Sequence, residues 1–253
     1  MLALEVALLS DRGGRNYNED ACGHWHSDRQ LCCVLADGAG GHGGGDIASK
    51  IAVQEMIGSF SREPTGDGQA LAALVRRTNQ ALIGQRVPGT PRQDMHSTAV
   101  CVVIDFVDHR VHWAHAGDSR MYWLRDGRVH ARTRDHSLVQ ALVDAGVLTE
   151  AQMQGHPKRS ELRSALGIAS DLLEVSAGDS AEAVQPGDVF LLCTDGLWEY
   201  LADSVLESTL ASASTPGAWI NTLAAEVHRA ANGKTSHDNF SAVTVWTRPA
   251  PGH

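Results

Sequence analysis

Aspartates follow apolar runs in this sequence, where an ionised carboxylate is costly unless it is paired or binds a cation. Asp37 comes directly after the run Leu31–Ala36, and Asp195 comes directly after the run Val189–Thr194. Each of these aspartates is followed by glycine. A single Asp-Gly pair after a strand is more often a turn than a functional site. The turn interpretation therefore stays open for each pair taken alone.

Three further aspartates lie in comparable places. Asp118 follows a predicted strand that ends at Gly117. Asp238 precedes another predicted strand, and Asp20 lies in a polar, turn-like stretch. Carboxylates at strand ends can bring their oxygens to one rim of a sheet. Gly38 and Gly196 would let the backbone approach closely, and the Gly38 carbonyl oxygen could itself be a ligand. Ligand sets made only of oxygen suit hard cations, so the pattern favours a Mg²⁺ or Mn²⁺ site.

Two histidines are candidates for proton transfer. His42 is the one imidazole in the glycine-rich stretch after Asp37, and an imidazole suits proton donation to a departing alkoxide. The alternative is that His42, one of 13 histidines, is simply solvated. His156 precedes Pro157 and is either a second donor or substrate contact, or only the end of a helix. The glycine-rich stretch lacks the Gly-Lys-Ser/Thr of a Walker A loop, which argues against nucleotide binding.

The composition is that of an ordinary globular protein. The chain has 253 residues, of which 43% are hydrophobic and 20% charged, enough for one sizeable core. Its net charge of −9 argues against nucleic acid or an anionic membrane surface as a partner. The apolar runs are too short to span a membrane, and the N-terminal start lacks the basic region of a signal peptide. The five cysteines have no Cys-x-x-Cys spacing and predict reduced thiols in a cytoplasmic protein.

The elements that must position the carboxylates follow from apolar periodicity and turn residues. Helices are predicted to begin at Asp46, at Asp67 and at Thr215-Pro216, because these residue types cap helix N-termini. Asp126-Gly127 suits a two-residue hairpin. Strands and helices come in blocks, which predicts an α+β fold with mainly antiparallel sheet in a single domain. The predicted strands are Ala3–Leu9, Leu31–Ala36, Ala99–Phe106, Arg110–His115, Arg120–Arg125, Arg128–Thr133, Val189–Thr194 and Ala242–Thr247.

The segment 135–168, called the flap below, differs from the rest of the chain. Two short helices are predicted there from the capping boxes Ser137-x-x-Gln140 and Thr149-x-x-Gln152. A helical insertion between strands can cover a functional site.

A series of short motifs runs through the whole chain. In order they are Arg15-x-x-Asn18-Glu19-Asp20, Asp37-Gly38-x-Gly40-Gly41-His42, Gly117-Asp118-Ser119-Arg120, Asp135-His136-Ser137, His156-Pro157, Ala165-Leu166-Gly167, Thr194-Asp195-Gly196-Leu197-Trp198 and Asp238-Asn239. Across residues 5–247 the series resembles the bacterial form of the metal-dependent protein phosphatase (PPM, type 2C) family. The resemblance implies a four-layer αββα sandwich of two mainly antiparallel β-sheets flanked by helices. It implies one domain at 1–248, a flap at 135–168 and a short tail at 249–253.

The resemblance also implies a ligand set for two Mn²⁺ or Mg²⁺ ions. The position that matches Asp37 bridges both ions, and the position of Gly38 lends its carbonyl oxygen. The position of Asp118 helps to hold a third, weaker ion. The other expected ligands are Asp20, Asp195 and Asp238.

The reaction implied is hydrolysis of phosphoserine and phosphothreonine in proteins by a metal-activated water, without a phosphoenzyme. Arg15 matches the position that grips the substrate phosphate, and its planar guanidinium suits bidentate contact. Glu19 and Asn239 match positions that orient metal-bound water. His42 is expected to be the general acid, and His156 a contact made by the flap.

The partners implied are phosphoproteins, substrates of a cognate Ser/Thr kinase in bacterial signal transduction. The protein is expected to be a cytoplasmic monomer without nucleic-acid or membrane partners. One alternative is a non-catalytic, phosphoprotein-binding regulatory module of the same fold. A histidine-based zinc hydrolase is a second, although the sequence has no His-Glu-x-x-His array.

Overall fold

Two β-sheets packed face to face form the centre of the protein, and every strand pair in the described residues is antiparallel. The structure is a computed structural model that describes residues 2–40, 44–153, 155–180, 182–232 and 237–250. The strands are β1 (Leu2–Asp11), β2 (Asp20–His26), β3 (Gln30–Ala39), β4 (His96–Ser97), β5 (Ala99–Asp105), β6 (Arg110–Ala116), β7 (Arg120–Arg125), β8 (Arg128–Arg132), β9 (Ser176–Asp179), β10 (Val189–Cys193) and β11 (Phe240–Pro249).

The first sheet has the strand order β1-β11-β10-β7-β8, and the second has the order β2-β3-β5-β6-β9 with β4 beside β3. Their inner faces share one apolar core, in which Leu35 and Val102 of the second sheet meet Phe190 and Val243 of the first. The central strand β5 is buried at every residue because both of its faces are covered. This burial explains why β5 reads in the sequence as a continuous apolar run.

Helices cover both outer faces of the sheet pair. Met56 and Leu71 help to pack two helices on the second sheet, and Leu206 and Trp219 pack two others on the first. The helices are α1 (Gly45–Arg62), α2 (Gly68–Gly84), α3 (Leu138–Asp144), α4 (Glu150–Met153), α5 (Asp195–Trp198), α6 (Asp203–Ser212) and α7 (Pro216–Ala230), with a 3₁₀ turn at Pro91–Asp94. The predicted α+β, four-layer αββα sandwich is therefore confirmed.

All the strands predicted from the sequence are present, and the hairpin at Asp126-Gly127 has both residues at positive φ, 51° and 72°. Asp67 and Thr215 cap their helices, accepting hydrogen bonds from the backbone N–H groups of Gln69 and Ala218. The prediction that Asp46 caps α1 was wrong. Gly44 is the N-cap, and Asp46 in the first turn pairs with Lys50 at 2.8 Å.

The sequence did not reveal β2, β4 and β9. The edge strand β9 reads Ser-Ala-Gly-Asp, without a branched or aromatic residue, and β4 has only two residues. Asp20, expected in a turn-like stretch, is the first residue of β2. Asp37-Gly38 lies inside β3, which continues to Ala39, and Asp195 begins α5, so neither Asp-Gly pair is a turn.

The flap contains α3 and α4, as the capping boxes predicted. Ser137 accepts a hydrogen bond from the Gln140 N–H, and the Thr149 N–H donates to Oε1 of Gln152. An antiparallel bridge between Ser137 and Leu162 closes the base of the flap. Within the described ranges, no helix has the length and hydropathy needed to cross a bilayer.

Candidate active site

One end of the sheet pair opens into a cavity of 620 Å³ whose walls carry carboxylates from distant parts of the chain. Asp37 and Gly38 reach it from β3, and Asp118 reaches it from the connection between β6 and β7. Asp195 reaches it from the start of α5, and Asp238 from the residues just before β11. The fold thus brings together residues that the sequence predicted as ligands.

Asp20 lies beside this group but does not line the cavity. It is 7% exposed and sits opposite Asp37 in the register of β2 and β3. Thr194 donates its hydroxyl to Oδ2 of Asp20 at 3.1 Å, whereas Oδ1 has no hydrogen-bond partner among the described residues. Burial raises the pKa of Asp20 to about 7, and the charge of Asp195 contributes to the same rise.

The other carboxylates also repel one another. Burial, followed by the charge of Asp20, raises the pKa of Asp37 well above its usual value. Burial and then Asp195 do the same to the pKa of Asp118. The pKa of Asp195 rises to about 7, mainly through burial and next through Glu199. Raised pKa values mean that ionising these carboxyl groups in the folded protein is unfavourable. A nearby positive charge, such as a divalent cation, would favour the ionised form and lower the pKa values again.

Unpartnered oxygens show that the residues present fit divalent cations. Oε1 of Glu19 and Oδ1 of both Asp20 and Asp195 are buried, and they accept no hydrogen bond within the described residues. Such atoms are costly unless a donor or cation satisfies them. No three His, Cys, Asp or Glu side chains of the described ranges form a ready-made ligand group. The open, all-oxygen arrangement suits a hard ion that keeps several of its waters.

Gly38 and Gly196 allow the backbone to approach closely around the cavity. A Cβ atom at position 38 would collide with the carbonyl oxygen of Gly45, and one at position 196 would collide with that of Asn239. Neither collision can be relieved by turning a side chain, because the opposing atoms belong to the backbone. The sequence indicated close backbone approach at both glycines, and the structure identifies the backbone atoms that require it.

Asn239 holds the loop that carries Glu19. Its Oδ1 accepts a hydrogen bond from the Glu19 N–H at 2.9 Å, and its Nδ2 donates to the carbonyls of Arg12 and Tyr17 at 2.7 and 3.0 Å. Asn239 is 4% exposed and does not line the cavity, whereas Glu19 does. Burial is the main cause that raises the pKa of Glu19. Asn239 therefore acts on the site through the backbone of this loop.

Arg15 lies at the rim of the cavity. Its Nη2 atom is 2.8 Å from Oδ2 of Asp238, and the two side chains are 50% and 45% exposed. Exposed ion pairs of this kind contribute little to stability. The guanidinium can therefore leave Asp238 and bind another anion with little loss of free energy.

Of the two candidate histidines, only His156 lies among the described residues. His42 lies outside the described part of the chain, as do residues 251–253 of the predicted tail. His156 lies in the flap away from the cavity lining, and its Nδ1 accepts a hydrogen bond from the Lys158 N–H at 3.2 Å. The flap residues that do line the cavity include Ser160, Leu162, Arg163 and Ser164.

Sequence reasoning missed the residues that hold Asp37 in place. Thr98 Oγ1 accepts a hydrogen bond from the Asp37 N–H at 2.9 Å and lies 2.6 Å from Ser119 Oγ. Ser97 donates its hydroxyl to the Asp37 carbonyl at 2.9 Å. The adjacent Ser97-Thr98 pair was the available signal, but no local pattern pairs these positions with residue 37.

Comparisons with known proteins agree with this geometry. The family model described as protein phosphatase 2C matches residues 11–232. The serine/threonine protein phosphatase PstP of Mycobacterium tuberculosis is 36% identical over 211 residues, which cover 83% of this chain but only 39% of that protein. The serine/threonine phosphatase stp of Listeria innocua is 30% identical over 220 residues, covering 84% of this chain and 85% of that one. A solved structure of the PstP catalytic domain in complex with two manganese ions superposes with a TM-score of 0.80 at 31% identity, over 98% of this chain and 100% of that one.

Proposed function

Since the chain belongs to the protein phosphatase 2C family, we propose that it is a metal-dependent hydrolase of phosphoserine and phosphothreonine in proteins. The observation that carries the proposal is the group of aspartates around one cavity, whose buried oxygens include some without a hydrogen-bond partner in the described part of the chain. The PstP structure with two manganese ions supports Mn²⁺ for this chain, and Mg²⁺ is the alternative because it also prefers oxygen ligands. Without bound cations, such a group of buried carboxylates lowers the stability of the fold, because their charges are not compensated.

The proposed roles follow from the positions of the side chains. Asp37, Asp195 and Asp238 and the Gly38 carbonyl would hold two divalent ions, and Oδ1 of Asp20 would complete the ligand set. Asp118 serves a third, weaker ion. When bound, the ions supply Lewis acidity and an activated water for direct attack on phosphorus. Asn239 fixes the backbone of the loop that carries Glu19, which lines the cavity. His42 is the proposed general acid on sequence grounds.

The cysteines support a reaction without a protein nucleophile. A nucleophilic cysteine needs a lowered pKa, so that it is present as thiolate. Here burial raises the pKa of Cys22 to about 11 and that of Cys101 to about 12. Cys32, Cys33 and Cys193 are also buried thiols with raised pKa values. A cysteinyl-phosphate route is therefore disfavoured.

We also propose that residues 1–248 form one catalytic domain with the flap at 135–168. Substrates would be phosphoproteins modified by a cognate Ser/Thr kinase, in a signalling role. Free thiols support a reducing, cytoplasmic location, and the net charge of −9 disfavours nucleic acid and anionic membranes as partners. A monomer is the simplest assembly.

Turnover by the purified protein tests the proposed function. With Mn²⁺ we expect hydrolysis of p-nitrophenyl phosphate and of phosphoserine and phosphothreonine peptides. Removal of the ion with EDTA should abolish hydrolysis, and re-addition of Mn²⁺ should restore it. Binding of phosphopeptides without turnover would instead identify a regulatory module. Turnover restored by Zn²⁺ but not by Mn²⁺ would favour the zinc hydrolase.

Replacing Arg15 by alanine should raise KM for a phosphopeptide roughly 10-fold or more, with a smaller change in kcat, because a bidentate, charge-assisted contact with the phosphate is lost. Arg15→Lys should recover only part of the loss, since lysine provides a point charge without the planar fork. Steady-state kinetics measure both effects. Arg12→Ala removes a neighbouring exposed arginine that does not line the cavity and is the matched control. An unchanged KM in Arg15→Ala would contradict the phosphate contact.

A further inference from the structure

The backbone of Asp118 is held from two sides by residues outside the carboxylate group. The indole Nε1 of Trp198, at the end of α5, donates to the Asp118 carbonyl at 2.9 Å. On the other side, the Gly117 carbonyl accepts from the His136 N–H at 2.9 Å, and the Gly117 N–H donates to Nδ1 of His136 at 3.2 Å. One of these clamps comes from the helix that Asp195 begins, and the other from the base of the flap.

Arg120 joins these two clamps. Its Nε and Nη2 donate to the two carboxylate oxygens of Asp135 at 2.8 and 2.7 Å, and its Nη1 donates to the Tyr122 hydroxyl at 3.1 Å. Its guanidinium carbon lies 3.6 Å from the ring centroid of Trp198. Arg120, Asp135 and Trp198 are each at most 7% exposed. A buried guanidinium that combines a bidentate pair with aromatic stacking has little freedom to move.

The flap is fastened to the same helix at a second point. Arg159 of the flap makes a two-point contact with Glu199, directly after α5, with distances of 2.6 and 2.8 Å. Val139 and Met153, from the flap helices, share with Trp198 the lining of a neighbouring cavity of 220 Å³. The flap therefore lies against the end of α5, the helix that begins at Asp195 and carries Trp198.

We infer that Trp198 and Arg120 are positioning residues that couple the Asp118 side of the cavity to the docked state of the flap. They act through the Asp118 backbone and through Asp135 at the flap base, and they do not line the cavity themselves. The inference rests on the proposed function, because it assigns a role to the ion site that Asp118 serves. Coupling between two sites is reciprocal, so the ion should protect the flap as much as a docked flap strengthens ion binding.

Trp198→Phe tests the first clamp, because phenylalanine keeps an aromatic ring under Arg120 but has no indole N–H to donate. It also leaves a smaller buried side chain, a loss of packing that the control variant below reproduces. Loss of an outer partner of a metal ligand typically weakens metal binding by roughly 10–100-fold. We expect such a loss for the weakest Mn²⁺ in a calorimetric titration, with the tighter ions changed by less than about threefold. Hydrogen exchange in the metal-free protein should become faster at residues 118–120 and across α3 and α4.

Trp219→Phe is the matched control, because Trp219 is also a buried tryptophan and its Nε1 donates to Oγ1 of Thr209 at 3.0 Å, away from the cavity lining. It should lose a similar amount of stability without changing Mn²⁺ binding or flap exchange. Equal behaviour of Trp198→Phe and Trp219→Phe would overturn the inference. Absence of turnover by the wild-type protein, with the difference between these variants intact, would instead count against the proposed function alone.

A second pair of variants tests the coupling from the flap, at exposed positions where folding is not at risk. Arg159→Lys removes the two-point contact with Glu199, and Arg128→Lys alters an exposed arginine pair with Glu207, in which neither residue belongs to the flap. Arg159→Lys should speed exchange in α3 and α4 and weaken the same Mn²⁺ several-fold, whereas Arg128→Lys should do neither. Faster flap exchange with unchanged Mn²⁺ binding would contradict the coupling.

Discussion

Asp37→Asn should lower kcat for p-nitrophenyl phosphate by at least about 10³-fold, because a central ligand of the proposed ions loses its charge and several kcal/mol of transition-state stabilisation are removed. The same change should stabilise the metal-free protein at pH 8. Burial raises the pKa of Asp37 well above its usual value, so ionising it in the folded state is unfavourable. Steady-state kinetics and thermal unfolding in EDTA measure the two effects.

Asp126→Asn is the matched control for this substitution. Asp126 also precedes a glycine, but it lies in the β7–β8 hairpin at φ 51°, a conformation that asparagine tolerates well. This variant should keep wild-type activity and stability. Near-normal turnover by Asp37→Asn would remove Asp37 from the reaction. Loss of activity together with loss of metal-free stability would indicate a merely structural role.

The metal-free protein should become less stable as the pH rises from about 4 to about 7, and Mn²⁺ should restore more stability at pH 8 than at pH 5. Burial raises the pKa of both Asp20 and Asp195 from 3.8 to about 7. Between these values the folded state binds more protons than the unfolded state, so the free energy of unfolding falls with rising pH. The contribution of the two protonated carboxyls to the free energy of unfolding is fully present below pH 3.8 and is lost as the pH rises through about 7.

Unfolding free energies measured in EDTA and in Mn²⁺ at pH 5, 6.5 and 8 test this linkage. Protons and cations compete for the same oxygens, so Mn²⁺ at 100 times its dissociation constant should add about 2.7 kcal/mol at pH 8 and less at pH 5. In a double variant, Asp20→Asn with Asp195→Asn, the stability of the metal-free protein and the stabilisation by Mn²⁺ should both change less with pH. Equal stabilisation by Mn²⁺ at all three pH values would show that these carboxyls do not bind the ion.

Local sequence signals predicted most of the strands and helices and the residue types of the site. Apolar runs predicted β3, β5 and β10, and Asp126-Gly127 predicted its hairpin, because φ/ψ preference and burial are encoded locally. The ordered motifs pointed to the aspartates that line the cavity. Local signals were weakest for β9, whose short polar sequence becomes a strand only because β6 offers it an edge.

The way in which those residues meet depends on contacts between distant segments of the fold. The β2–β3 register places Asp20 opposite Asp37 and out of the cavity, and Thr98 holds the Asp37 backbone from 61 residues away. Packing of α5 against the β6–β7 connection sets the indole of Trp198 on the carbonyl of Asp118. These contacts depend on strand register and on the packing of distant segments. A sequence pattern records neither, because it describes each segment only with its own neighbours.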